Sequence, residues 1–585
     1  MWSPINSLAG LFKGHISVCI LLIIALVTRL PFLSISLDEV DSGNFYNALK
    51  YGYDIANFRP HAPGYPLYVF LGWLLNYLVR DYLICLTLLS AILGSFSVLP
   101  FHLILKQIVG YKVAFCGSLL FLANPLYWAF SETALADVPA VFLGTLSVWL
   151  MHKGMTDRNY YMAACFVTGL AIGIRQANIT LMLLLVLVGV YVYLDLKRTA
   201  VKQIGLGTAS FVLGIALWFI PAVLIGTAGV YEYVEVISRQ WSSVVSVSDA
   251  SNLESPWILN LLYRIERFFL AYHLLYSWTG SDSKSAVTIL LIAPWLFGFL
   301  TFLSTFRVKD RSHLFIMVWV LLSLYPILSI HFLPRYGLPY LPAFMIASIL
   351  GFQHVFLHER DFRRGLEVGG FCILATVLML YVIKHQPPVD TFEVTPPLTN
   401  LYVCLLLILS VVTIVICRWR RRTRHVDIIK TVEGVAWCSL TSPNIFRLRL
   451  FLIVLFMMVL PYGILGIGHV SVAHNTSSPS QKLVSLVETN YNGIAVTFCW
   501  DNQTHSLFEA SDSSMVRLLG QNASQDLYES YQAGGTLLMS DHCQWLEDLN
   551  EHLNVTEVAS FKGKSLLWDK VPAITLYEAK DPQSY

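Results

Sequence analysis

Three carboxylates, Asp38, Glu39 and Asp41, fall within four residues, immediately after the first long apolar block of the chain. Carboxylates at the edge of such a block are costly to desolvate unless they are paired or sit in a wet cavity; a plain hydrated acidic loop is the alternative. Gly43 permits a tight turn after the acids, and Asn44–Leu49 reads as the start of an amphipathic helix. Next comes Arg59-Pro60-His61-Ala62-Pro63-Gly64-Tyr65-Pro66, with three prolines and a glycine in its last seven residues. Such a run is stiff and brings Arg59 and His61 near the acids. A loop that only linked two spans would not need that rigidity.

A second acid, Asp137, stands just before Pro139 at the head of a later apolar block. It reads first as a helix cap, since Asp is favoured there and Pro in the first helical turn; a second role facing the first loop is compatible with this. Arg175, His331 and the pair Arg335-Tyr336 are isolated polar residues on the same side of the chain. Arginine gives fixed, bidentate donors to phosphate, although an Arg at headgroup level can also simply snorkel. Taken together, these residues suit a transfer in which a carboxylate acts as base and an arginine neutralises a leaving phosphate.

The elements that carry them belong in a membrane. Of 585 residues, 56% are hydrophobic and only 13% charged, with a mean hydropathy of +0.61; soluble chains run nearer a quarter charged. Apolar blocks of about bilayer length occur near 16–33, 82–105, 113–130, 138–152, 161–174, 177–194, 204–226, 286–306, 314–331, 338–356, 366–384, 400–417 and 450–468. They predict about thirteen transmembrane helices, an all-α polytopic bundle over 1–468. The first block lacks a small-residue cleavage site and reads as a span, not a removable signal. Pro66–Val79 is apolar but short for a span and reads as an interfacial helix.

Lys and Arg gather in alternate connections, from Lys106 and Lys112 to the cluster at 418–424. By the positive-inside rule the N-terminus is then cytoplasmic, and 34–66 and the tail are extracytoplasmic. Four glycosylation sequons, at Asn475, Asn502, Asn522 and Asn554, segregate into that tail, as a lumenal surface would require. Residues 469–585 hold 14 acidic and 6 basic residues and read as a small soluble α/β domain. Strands are predicted at Gly493–Trp500, Gly535–Ser540 and Ala573–Ala579, with helices near 506–519 and 543–553. The ten cysteines show no metal-site spacing. A secondary transporter would show an internal repeat and mid-span acids, which are lacking here; a lumenal scaffold or receptor would not need the stiff first loop.

These residues resemble the GT-C superfamily of membrane glycosyltransferases, near the protein O-mannosyltransferase and lipid A aminoarabinose transferase group. Asp38-Glu39 is similar to the Asp-Glu of the O-mannosyltransferases, although Asp41-Ser42 stands where they have His-Phe. Asp41-Ser42-Gly43-Asn44-Phe45, followed by Pro60-His61-Ala62-Pro63-Gly64-Tyr65, is closer to a branch with Asp-Ser-x-Asn-Phe and Pro-His-Pro-Pro-Gly-Tyr; Ala62 replaces one proline. Ala136-Asp137-Val138-Pro139 and Arg335-Tyr336 match further motifs of the group. The likeness covers most of residues 16–345. It implies inverting transfer of a sugar such as mannose from a polyprenyl- or dolichyl-phosphate donor to a protein, glycan or lipid hydroxyl. The base would be Asp41 or Asp38, with Asp41 preferred on its spacing to Phe45 and the proline loop. Some members of the group use a divalent metal, for which Asp41, Asp137 and His61 are the candidates here; no other cofactor and no nucleic acid is expected. The implied location is the endoplasmic reticulum membrane in a eukaryote and the plasma membrane otherwise.

Overall fold

A computed structural model of the chain describes residues 3–37, 39–252, 295–324, 334–357, 447–459 and 479–491, a few isolated positions, and tail strands between 496 and 580. Asp38, His331, the expected spans at 366–384 and 400–417, the basic cluster at 418–424, three sequons (Asn475, Asn502 and Asn522) and the expected helix at 543–553 lie outside the described residues.

The described chain is mainly helical. Helix α1 (Ser3–Arg29) ends before Leu30-Pro31. Helix α2 (Val40–Tyr51) begins earlier than expected, so Gly43 lies inside it and not in a turn. That shift sets Asp41 in the first turn of a helix, where a carboxylate is favoured by the helix dipole, and one turn before Phe45. Helix α3 (Pro66–Val79) has the bounds expected of the short apolar segment. Its 14 residues span about 21 Å at 1.5 Å per residue, short of a ~30 Å hydrocarbon core. Tyr68 and Val69 are buried, whereas Tyr77 and Leu78 are exposed.

Helices α4 (Tyr82–Phe96) and α5 (Val98–Val109) form a near-continuous 28-residue apolar run. Asp81 starts it, its carboxylate accepting from the Ile84 amide at 2.9 Å. The block expected at 113–130 is instead divided. Helix α6 (Tyr111–Ala123) stops at Asn124, which caps α7 (Pro125–Phe130) by accepting from the Tyr127 amide at 3.0 Å. Pro125 enforces the break, having no N–H to continue α6. Helices α8 (Asp137–Gly154), α9 (Arg158–Ile174), α10 (Leu181–Leu196) and α11 (Ala200–Gly226) follow. The stretch Gln176–Gly226 is the second described run long and apolar enough to cross a bilayer. Its 51 residues are long enough for two crossings, with a break at Lys197–Thr199.

Helices α9 and α11 meet along small residues. A Cβ on Gly169 would come within 2.5 Å of the Phe211 carbonyl, and one on Gly214 would overlap that of Phe166. Backbones can approach this closely only where side chains are absent. Trp218 locks the seam by donating its indole N–H to the Gly169 carbonyl at 2.8 Å. Helix α12 (Val230–Asn252), not foreseen in the sequence, lies beyond α11. Three further helices, α13 (Trp295–Thr305), α14 (Arg311–Ser323) and α15 (Leu341–Leu357), complete the central part. Buried aromatics fill its core, among them Phe45, Tyr68, Phe101, Phe121, Tyr127 and Trp319.

In the tail, a five-stranded sheet has the order β2-β1-β3-β7-β4, with β1 (Val496–Cys499) parallel to β2 (Val516–Leu518) and β3 (Thr536–Ser540). Strand β7 (Ile574–Lys580) runs antiparallel to β3 and to β4 (Asn554–Phe561). A separate two-stranded ladder joins β5 (Lys564–Ser565) and β6 (Lys570–Val571). The three expected strands are present, β4 and β2 were not foreseen, and β2 occupies part of the segment read as helical at 506–519. Its pairing with β1 supplies partners that an amphipathic pattern alone does not reveal. The expected α/β character holds, with helix α16 (Pro479–Asn490) ahead of the sheet.

Candidate active site

Asp41 sits on the first turn of α2, and Arg335 lies on a short helical turn, Pro334–Tyr340, just before α15. They are 294 residues apart in sequence, yet Arg335 Nη2 donates to Asp41 Oδ2 at 2.6 Å. The same nitrogen is 3.8 Å from Glu39 Oε2, and Arg335 Nη1 is 3.9 Å from Asp137 Oδ2. One guanidinium thus stands among three carboxylates. It is only 5% exposed, and its Nε and Nη1 have no hydrogen-bond partner.

Asp137 has its own cation. Arg175 Nη1 is 2.6 Å from Asp137 Oδ1, a close ion pair without the alignment of a hydrogen bond. The capping role expected of Asp137 is not what it does. The N-cap position is Ala136, and Asp137 lies within the first helical turn with its side chain on Arg175. Arg175 is presented by the end of α9, the helix held by the glycine seam. Tyr336 lies between the cations, with Arg175 and Arg335 centred 5.1 and 5.6 Å from its ring.

His61 reaches the cluster from the proline loop. Its Nδ1 is 3.5 Å from Asp41 Oδ1 and 3.5 Å from the Asn44 amide nitrogen. A bare Nδ1 accepts from Asn44, whereas a protonated one donates to Asp41. Phe45, Tyr65 and Tyr68 pack edge-on beside it, with ring centroids 4.9–5.2 Å apart. Arg59 turns elsewhere: its guanidinium stacks over Tyr51 at 5.1 Å, so the loop brings His61 to the acids and sends Arg59 to an aromatic face.

Burial pushes the Asp41 carboxyl up, but His61 and Arg335 outweigh it and hold the group at about 2. Burial pulls the His61 ring below its ordinary value, aided by Arg335 and Arg175 and opposed by Asp41 and Asp137. The ring is therefore neutral near pH 7, and the lasting counter-charge to Asp41 is Arg335.

The three metal candidates do not form a metal site. Asp41 and Asp137 are each engaged by an arginine at 2.6 Å, and Arg335 stands between them. A divalent cation would have to share that space with a fixed positive charge. Among the described residues no group of three or more His, Cys, Asp or Glu is arranged to hold a metal ion.

The residues that hold the first loop were missed in the sequence. The Ser34 amide donates to the Glu132 carbonyl at 3.0 Å, fixing the start of the loop. Gln176, Tyr233 and Gln240 bind the proline segment. Their signal was weak: Tyr233, Val236, Ile237 and Gln240 have the spacing of one helix face, but nothing local says what that face covers.

No family model matches the chain, and no curated protein does. Among solved structures it is similar to ArnT from Cupriavidus metallidurans in the apo state, at 14% identity and a TM-score of 0.55, over 97% of this chain and 98% of that one. The same protein bound to undecaprenyl phosphate matches at a TM-score of 0.51, with the same identity and coverage. The chain thus shares its fold with that protein, as the resemblance carried by its first-loop, Asp137 and Arg335-Tyr336 motifs leads one to expect.

Proposed function

We propose that the chain is a membrane glycosyltransferase moving a sugar from a polyprenyl-phosphate donor to an acceptor hydroxyl on the extracytoplasmic side. One observation carries this reading: the buried Arg335 holds the ionised Asp41 at 2.6 Å while its Nε and Nη1 nitrogens make no hydrogen bond. A buried guanidinium with unmet donors is a receptor for an oxyanion such as phosphate. The ArnT structure to which the fold is similar is one bound to undecaprenyl phosphate, a phosphate of the class proposed here.

In this reaction Asp41 takes the proton of the acceptor hydroxyl as that oxygen attacks the anomeric carbon. The bond from that carbon to the phosphate oxygen breaks, and the lipid phosphate leaves with an added negative charge that Arg335 neutralises. A single displacement inverts the anomeric centre. Asp41 at about 2 is a weak base while Arg335 holds it. Donor phosphate competes for the same guanidinium, so its arrival loosens the ion pair and strengthens the base when the sugar is in place. Arg175 pairs with Asp137 and shares the Tyr336 ring with Arg335. The sugar and the acceptor (protein, glycan or lipid) are set by parts of the site this cluster does not specify; mannose on dolichyl phosphate is the first donor to try if the source is eukaryotic.

The test is an assay of purified protein with a panel of polyprenyl-phosphate sugars, reading release of lipid phosphate. Asp41→Asn is expected to abolish transfer with expression and membrane insertion intact, and Asp38→Asn to retain it. Full activity in Asp41→Asn would overturn the assignment.

A further inference from the structure

The proline loop that carries His61 is irregular and partly buried, so each of its backbone polar groups needs a partner. Several find one within the loop. Asp54 and Arg59 exchange backbone hydrogen bonds at 2.7 and 2.8 Å, the Asp54 carboxylate accepts from the Ala56 and Asn57 amides, and the Gly64 amide donates to the His61 carbonyl at 3.0 Å. Two more are answered from outside by a single side chain. Gln240 on α12 accepts from the Ala62 amide at 2.6 Å and donates to the Ile55 carbonyl at 2.8 Å.

The geometry points to Gln240 as a positioning residue for His61, with α12 as a strap over the first loop. Ala62 follows His61 directly, so its amide bond to Gln240 fixes the peptide plane that aims the imidazole at Asp41. Ile55 lies at the other end of the loop, and one rigid amide ties the two ends together. The carboxamide supplies the acceptor and the donor from two separate atoms, Oε1 and Nε2. Tyr233, two turns earlier on the same face, adds a second tie by donating its hydroxyl to the Pro63 carbonyl at 3.0 Å. Tyr53 completes the clasp. Its ring fills the space beside Gly226 at the end of α11, where a Cβ would approach it to 2.6 Å, and its hydroxyl fills the space beside Gly64.

The kinetic part of the test rests on the transferase reading, so a second readout does not. Gln240→Met removes both bonds, Gln240→Glu keeps the acceptor and loses the donor, and Tyr233→Phe removes only the second tie. All three are purified as full chains and compared with wild type in donor turnover. A parallel readout is the rate at which diethyl pyrocarbonate modifies His61, followed by peptide mass spectrometry with His152 as reference. Gln240→Met is expected to lower kcat about 10- to 100-fold, because His61 contacts Asp41 at 3.5 Å and small displacements beside a reacting group have effects of that size. The donor KM should stay within about twofold and the melting temperature within a few degrees, with Gln240→Glu and Tyr233→Phe less impaired. His61 modification should quicken several-fold relative to His152 in Gln240→Met. An unchanged His61 rate with unchanged kcat overturns the proposal. So does a kcat loss matched by a fall in melting temperature, which makes Gln240 merely structural. If wild type itself turns over no donor, the transferase reading fails, and the His61 rate alone decides on Gln240.

Discussion

Replacing Arg335 with Met tests the coupling between the cation and the base. Asp41 lies about two pKa units below its ordinary value, which corresponds to roughly 2–3 kcal/mol of preference for the ionised form. The Asp41 side chain is only 20% exposed, so solvent screening removes little of this. Without Arg335 the burial contribution and the attraction of His61 remain while the contribution of Arg335 is lost, so the Asp41 pKa rises from about 2 toward its ordinary range. The sign follows directly. If Asp41 is the base, as proposed, it works only when ionised, so wild type keeps it down to about pH 2, whereas the variant loses it as pH falls into the ordinary carboxylate range. On the proposed reading, loss of the phosphate-binding donors acts at every pH; removing one such donor typically costs about 10²–10³ in turnover. The assay is kcat/KM for lipid-phosphate release from pH 4 to 9, on protein shown to be folded by its melting curve. Arg335→Met is expected to fall by at least about 10²-fold at pH 7, with a new acid limb at the low end of the measured range. Activity within about threefold of wild type, or an unmoved acid limb, would refute the reasoning.

Two further predictions concern the frame of the site. Arg175→Met leaves Asp137, 1% exposed, with only the distant Nη1 of Arg335, and should destabilise by about 3 kcal/mol, the scale for breaking a buried pair. Adding Asp137→Leu should restore much of that loss, and a double-mutant cycle on melting temperatures in detergent checks it; equal losses in single and double variants would argue against a tight pair. On α11, Gly214→Val should abolish folding or cost about 3 kcal/mol or more through backbone overlap with α9, whereas Gly205→Ala faces open space and should be neutral or slightly stabilising. Fluorescence-detected gel filtration of the two variants separates these outcomes.

Much of the site was legible as a set of residue types. Asp41, Glu39, His61, Asp137, Arg175, Arg335 and Tyr336 were all singled out, because isolated charges beside apolar blocks and a proline-stiffened loop are local features of the chain. Their pairing was not legible. Arg59 is close to the acids in sequence and turns to Tyr51, while Arg335, 294 residues from Asp41, supplies the nearest cation. Asp137 read as a helix cap because local statistics favour it there; packing of α9 against α11 delivers Arg175 to it instead. Gly43 read as a turn residue because glycine permits one, but α2 runs through it and places Asp41 in its first turn. In the tail, the apolar runs of β1, β3 and β7 were legible, whereas β2 and β4 depend on neighbouring strands for their identity.

The sequence by itself determined the strongly apolar, mainly helical character of the chain and the proline content of its first loop. It also determined which charged residues stand out against the apolar background. These are properties of composition and of short segments, and they need no partner to exist. Only the tertiary structure decided which cation meets which acid, that Asp41 is held ionised by a buried arginine with donors to spare, and that a glutamine on α12 ties down the loop carrying His61. Those facts depend on distances between segments far apart in the chain, and helix packing, not local propensity, sets such distances.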